Sequence, residues 1–165
     1  MDKRPKLSIP RSKLEMIHDG LSIAVLLVMF IYVIKVWGQL PEQMPIHFNA
    51  RGEPDGWGGR GSLFFLPGLS VLLAAGLSLL SQFPHTFNYP NPVTPENAPR
   101  QYANARRMLS WMKLELVVLF GYIEWRIIQA GLTGQDRLGI WLLPVVLLVL
   151  LGTAGYYAVR AFRLK

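Results

Sequence analysis

The chain contains 165 residues, of which 52% are apolar, and its formal net charge is +7. This length is typical of one domain, and so apolar a composition disfavours an ordinary soluble protein. The positive charge does not indicate a nucleic-acid partner, because the basic residues flank apolar runs and are not gathered on one face. The chain has no cysteine, which excludes disulfides, thiolate metal sites and cysteine nucleophiles. These features predict a protein of the lipid bilayer.

Four segments are apolar enough to cross a bilayer as helices, since a hydrocarbon core about 30 Å thick requires roughly 20 residues of helix. They are residues 20–37, 63–83, 108–130 and 138–157. We therefore predict an all-α, polytopic integral membrane protein, in which residues 1–165 form a single transmembrane helical domain. No small-residue cleavage site follows the first segment, so we interpret it as a retained span. Thr94 is the predicted N-cap of a polar segment that begins the third helix.

Lysine and arginine residues near the span ends predict the orientation. Eleven lie on the side of the two termini and the second connection: Lys3, Arg4, Lys6, Arg11, Lys13, Arg100, Arg106, Arg107, Arg160, Arg163 and Lys165. Three lie on the opposite side: Arg51, Arg60 and Arg137. Because cytoplasmic loops carry the excess of basic residues, both termini are expected to be cytoplasmic. The connection between the first two spans, residues 38–62, is then an ordered extracytoplasmic loop.

The extracytoplasmic loop contains the densest group of polar side chains in the chain. Five glycines within residues 52–61, together with Pro54, predict a tightly folded segment with a turn at residues 54–56. Four side chains of this loop could bind a divalent cation or an ammonium group, or carry out acid–base chemistry: His47, Asn49, Glu53 and Asp55. The structural alternative is that they bond to the loop's own backbone.

No cofactor is predicted for this chain. A metal site at His47 and Asp55 is the weaker alternative, because a usual zinc site needs further histidine or cysteine ligands. The two other histidines, His18 and His85, are expected at the cytoplasmic side and therefore cannot complete such a site.

The third span contains four charged residues: Lys113, Glu115, Glu124 and Arg126. Each costs about 2.5–3.5 kcal/mol at the middle of a bilayer, so these side chains must face protein or water. We expect their partners on neighbouring spans or at the membrane surfaces. Glu124 or Arg126 is predicted to pack against the extracytoplasmic loop, near Lys35 of the first span. Snorkelling to the headgroups is the alternative for Lys35 and Arg126.

The sequence of residues 40–60, LPEQMPIHFNARGEPDGWGGR, closely resembles the signature of a bacterial and archaeal membrane family, that of domain of unknown function number 1648. The matching positions are Pro45, His47, Asn49, Gly52, Glu53, Pro54, Asp55, Gly56, Trp57 and Gly58, and Arg60 replaces the family's closing lysine. The family includes a region of the toxin-immunity and signalling protein SdpI. The resemblance implies a multi-pass protein of a bacterial or archaeal cell membrane.

Three functions are compatible with these features. The first is non-enzymatic recognition of a peptide, a lipid or an envelope protein, in immunity or signalling, with His47, Asn49, Asp55 and Arg60 as hydrogen-bonding groups. The second is a membrane-embedded enzyme with His47 as general base or metal ligand. The third is a transporter subunit with Glu115 and Glu124 as proton or cation sites. Four spans are few for transport, so this alternative requires a homo-oligomer. We predict the first function.

Overall fold

The computed structural model describes residues 4–134 and 138–164 of the chain. Its helices and strands are α1 (Lys13–Val36), β1 (Gln43–Phe48), β2 (Pro54–Gly59), α2 (Phe65–Leu80), α3 (Ala98–Thr133) and α4 (Leu142–Arg163). Among the described residues, four helical segments are long and apolar enough to cross a membrane. This confirms the predicted fold class, with one small sheet added. Lys3, Arg137 and Lys165, which contribute to the predicted orientation, lie outside the described residues.

Side-chain contacts fix the relative directions of the helices. The informative pairs are Lys113 with Asp19, Gln129 with Tyr32, Lys113 with Ser78, Phe30 with Phe64, Asn104 with Tyr157 and Glu115 with Thr153. They make α3 parallel to α1 and antiparallel to both α2 and α4. Helix α3 packs against each of the other three helices. Residues 4–12, 81–97 and 164 therefore lie at one end of the bundle, here called the termini end, and the two strands lie at the opposite hairpin end.

Helices α1 and α3 both extend beyond the apolar segments that predicted them. Helix α1 begins at Lys13 because Ser12 and Glu15 form a reciprocal capping box, with the Glu15 carboxylate 2.7 Å from the Ser12 amide. Helix α3 begins at Ala98, and its N-cap is Asn97. The prediction of Thr94 as the N-cap was wrong. The Asn97 side chain accepts a hydrogen bond from the Thr94 amide at 2.9 Å, which holds the preceding residues in a turn.

The connection between α1 and α2 is an antiparallel β-hairpin, whereas the sequence predicted an ordered loop without strands. Strands β1 and β2 pair with Gln43 opposite Gly59 and Phe48 opposite Pro54, and the register shifts on both sides of His47. The turn lies at residues 49–53 and not at residues 54–56 as predicted. Pro54 begins β2, a position that tolerates the missing amide donor of proline.

Met44 anchors the hairpin to the helices. Its side chain is fully buried within a cluster of apolar residues: Val33, Val36, Leu40, Leu63, Ile127 and Ile128. Gly131 of α3 makes room for it, since a Cβ atom there would lie 2.5 Å from Met44 Cε. The hairpin therefore packs directly against the last turns of α3.

The tip of the hairpin has a second attachment, to the segment before α4. The Leu138 amide donates a hydrogen bond to the Gly52 carbonyl at 2.8 Å. Gly52 has a φ of +72°, and a Cβ there would lie 2.8 Å from the Gly139 nitrogen, so only glycine fits this position without strain. The hairpin is thus held at its base and at its tip.

Candidate functional site

The hairpin presents an exposed imidazole–carboxylate pair. His47 Nδ1 hydrogen-bonds Asp55 Oδ1, and the two side chains are 73% and 43% exposed. Trp57 lies two residues after Asp55 on β2 and is 52% exposed. We call these three exposed hairpin residues, His47, Asp55 and Trp57, the hairpin face. It combines a hydrogen-bonding pair with the ring of a tryptophan, a residue enriched among those that contribute most to binding.

The other polar side chains of the hairpin stabilise its turn. Asn49 Oδ1 accepts hydrogen bonds from the Arg51 and Glu53 amides at 2.9 and 3.1 Å, and Asn49 Nδ2 lies 3.4 Å from a Glu53 carboxylate oxygen. This is an Asx-type turn, in which the side chain replaces a backbone acceptor. Asn49 therefore bonds to the loop's own backbone, which was the structural alternative for these side chains. His47 and Asp55 instead bond each other.

Arg60 lies at the base of the hairpin and faces the helices. Its guanidinium lies 5.2 Å from the centre of the Trp37 ring, a cation–π distance. Its amide donates to the Glu42 carbonyl at 3.1 Å. Arg60 thus links the end of β2 to the end of α1, away from the hairpin face.

Two of the four charges of the third span have partners on neighbouring helices, as expected. Lys113 is buried, forms an ion pair with Asp19 of α1, and donates to Ser78 Oγ of α2 at 3.0 Å. Glu115 Oε1 accepts a hydrogen bond from Thr153 of α4 at 2.5 Å. Lys113 thereby joins three helices, and Glu115 joins α3 to α4.

The remaining charges lie towards the hairpin end. Glu124 is 2% exposed and lines a cavity between α1 and α3. In the described part of the chain, no hydrogen bond or ion pair joins Glu124 to the hairpin. The Arg126 guanidinium lies 5.9 Å from the centre of the neighbouring Trp125 ring. Lys35 is exposed in the last turn of α1, a position that suits a snorkelling side chain.

A second cluster of charges, at the termini end, was not identified from the sequence. Asp19 pairs with Arg11 as well as with Lys113, and Glu15 accepts from Arg106 at 2.9 Å. The sequence spacing could have indicated this cluster. Glu15 and Asp19, four residues apart on α1, face Arg106 and Lys113, seven residues apart on the parallel helix α3. This cluster connects α1 to α3 at the edge of the apolar segment.

The connection between α2 and α3 is folded against the amino-terminal residues. Tyr89 donates its hydroxyl proton to the Pro84 carbonyl at 2.7 Å, and the Arg4 guanidinium lies 5.8 Å from the centre of the Tyr89 ring. Burial raises the pKa of the Tyr89 hydroxyl above its ordinary value.

Metal-binding capacity is limited in the described residues. Within residues 4–134 and 138–164, no group of three or more histidine, cysteine, aspartate or glutamate side chains could hold a metal ion. His47 and Asp55 would supply two ligands at most, and both are engaged with each other.

Comparison with known proteins associates the hairpin with one family. The model of a domain of unknown function, DUF1648, matches residues 24–71, which include the whole hairpin. An uncharacterised protein of Archaeoglobus fulgidus is 28% identical, with 70% of each chain covered. No solved structure matches. The family match confirms the resemblance inferred from residues 40–60.

Proposed function

We propose that the surface within residues 24–71, the segment that the DUF1648 model matches, recognises a peptide ligand on the extracytoplasmic side of the membrane. The observation that carries the proposal is the exposure of His47, Asp55 and Trp57 on a hairpin that is fixed at both its base and its tip. A fixed surface loses little conformational entropy when it binds, so exposed aromatic and charged groups contribute more of their interaction energy to affinity.

The free edge of the sheet favours a peptide over a small polar ligand. The sheet in the described residues has two strands, and β1 lies towards α3, so the outer edge of β2 has no strand beside it. An extended peptide can pair with such an edge through main-chain hydrogen bonds. Trp57 and Asp55 then supply side-chain selectivity, and a peptide recognised in this way would be the ligand in an immunity or envelope-signalling role.

The absence of cysteine makes the orientation directly testable. We expect a single cysteine at the exposed Gly59 to react with a membrane-impermeant maleimide in intact cells. A cysteine at Thr86, in the exposed connection of the termini end, should react only after the cells are permeabilised. The labelled fraction is measured by a gel mass shift. The opposite labelling pattern would place the hairpin in the cytoplasm and contradict recognition outside the cell.

Peptide binding is tested with the full chain in nanodiscs and a phage-displayed peptide library. We expect selected peptides to lose at least about tenfold in affinity for Trp57→Ala and Asp55→Asn, since both changes remove groups central to the proposed surface. Trp141→Ala is the matched control, because Trp141 is 75% exposed at the same end of the bundle but outside the hairpin. Affinity is measured by biolayer interferometry.

Two results would contradict this proposal. One is the failure of any peptide to be enriched over empty nanodiscs, and the other is equal loss of binding in Trp57→Ala and Trp141→Ala.

Elemental analysis of the purified protein distinguishes recognition from the alternative of a metal-dependent enzyme. Stoichiometric metal that is lost on His47→Ala would favour a metal-dependent enzyme over recognition.

A further inference from the structure

A cavity between α1 and α3 has the composition of a cation site. Its volume is about 480 Å³, within the roughly 300–1,000 Å³ of ordinary small-molecule pockets. The walls are mainly apolar, with Val28, Met29 and Val118 among them, and the aromatic rings of Tyr122 and Trp125 lie on the α3 side. Glu124 is the charged residue that lines it. This site is separate from the hairpin face.

Glu124 is a buried carboxylate inside a membrane-spanning helix. It is 2% exposed, and its Oε1 atom is buried and makes no hydrogen bond to the described residues. Tyr32, the polar residue of α1 that lines the cavity, has its hydroxyl bonded to Gln129 at 2.8 Å. A carboxylate within an apolar span is costly unless a cation or a proton accompanies it, so this group indicates a ligand position.

The surroundings of Glu124 select the kind of cation. The rings of Tyr122 and Trp125 have centroids 5.9 Å apart and are each a little over 40% exposed, so a ligand can contact them. Aromatic faces attract organic ammonium groups and the apolar walls favour hydrocarbon substituents, whereas a small hydrated metal ion would need more oxygen ligands than Glu124 supplies. We infer that this cavity binds a lipophilic organic cation, with its charge beside Glu124 and its apolar groups against Tyr122 and Trp125.

Glu115 differs from Glu124 in its partners and burial. It lines a separate apolar cavity between α3 and α4, and its Oε2 atom is also buried without a hydrogen bond in the described residues, but Thr153 donates a hydrogen bond to its Oε1 atom and its side chain is less buried than that of Glu124. Glu115→Gln therefore serves as a control with the same charge change on the same helix.

The experiment uses the full chain in phosphatidylcholine nanodiscs and tetraphenylphosphonium as the probe. Equilibrium dialysis should show saturable binding of about one probe per chain. Glu124→Gln should weaken this binding by at least about tenfold, because it removes the charge while keeping the shape of the side chain. Glu115→Gln should leave it unchanged. Tetraphenylborate, which has the same shape and the opposite charge, should not bind saturably.

Several outcomes would overturn the inference. They are no saturable binding above that of empty nanodiscs, equal affinity of the native protein and Glu124→Gln, or equal binding of the two probes. A change of oligomeric mass in Glu124→Gln, together with no probe binding by the native protein, would assign the carboxylate to contact between copies. Circular dichroism and sedimentation confirm that each variant keeps its helices and its mass before binding is compared.

Discussion

Replacing Asp19 with asparagine should lower the free energy of unfolding by about 3–5 kcal/mol, the usual cost of removing one partner of a buried ion pair. Lys113 is 6% exposed and relies on the Asp19 carboxylate for its counter-charge. The asparagine amide keeps the shape of the side chain but leaves a cation uncompensated at the edge of an apolar segment. Ser78 still offers a hydroxyl, but a hydroxyl carries no charge.

The effect is measured by reversible unfolding in mixed detergent micelles, followed by circular dichroism. Glu42→Gln is the control, since it makes the same charge change at an exposed residue of the hairpin end. A double variant that adds Lys113→Met should recover much of the loss, because it removes the unpaired cation. If Asp19→Asn costs no more than Glu42→Gln, the ion pair does not stabilise the bundle.

The four helices could be predicted because a bilayer sets a minimum length of apolar helix. Residues 63–83 correspond to α2 with small changes in bounds, and residues 20–36 form the carboxyl-terminal part of α1. Helix α1 is longer than its apolar segment because the cap at Ser12 begins the helix in polar sequence. Such extensions depend on local hydrogen bonds, which hydropathy does not measure.

The hairpin could not be predicted from local sequence preferences. Strand β2 is Pro-Asp-Gly-Trp-Gly-Gly, and proline, aspartate and glycine are all disfavoured in strands. Its pairing depends on the burial of Met44 of β1 beside Gly131, which is 87 residues further along the chain. The sequence therefore indicated a shaped polar loop, and tertiary packing determined that the loop is a sheet.

For the candidate site residues too, the sequence predicted some features, and others depend on tertiary packing. The need for partners at Lys113 and Glu115 followed from the cost of charge in a span, and both have partners on other helices. Their identities, Asp19 and Thr153, depend on helix packing that one sequence does not reveal. The resemblance over residues 40–60 identified the hairpin residues, but their division into an exposed pair, His47 and Asp55, and a turn-forming pair, Asn49 and Glu53, depends on how the hairpin folds.

Met44→Ala should also have a large effect, lowering the free energy of unfolding by about 2–5 kcal/mol. Met44 is fully buried, and alanine would leave a cavity between the hairpin and α3 that the short strands cannot fill. Because Met44 lies at the base of the hairpin, the hairpin should open more often than the helices unfold. Hydrogen exchange of the Asn49 amide, which donates to Glu53 at 2.9 Å, measures that opening.

Ile46→Ala provides the matched comparison for Met44→Ala. Ile46 lies two residues along the same strand but is 50% exposed, so its truncation should change stability by well under half as much. Met44→Ala leaves His47, Asp55 and Trp57 in place, so any loss of peptide affinity in this variant reflects the mobility of the hairpin face. Equal peptide affinity despite faster exchange would show that recognition does not need a fixed hairpin, whereas parallel losses would make Met44 a positioning residue for the hairpin face.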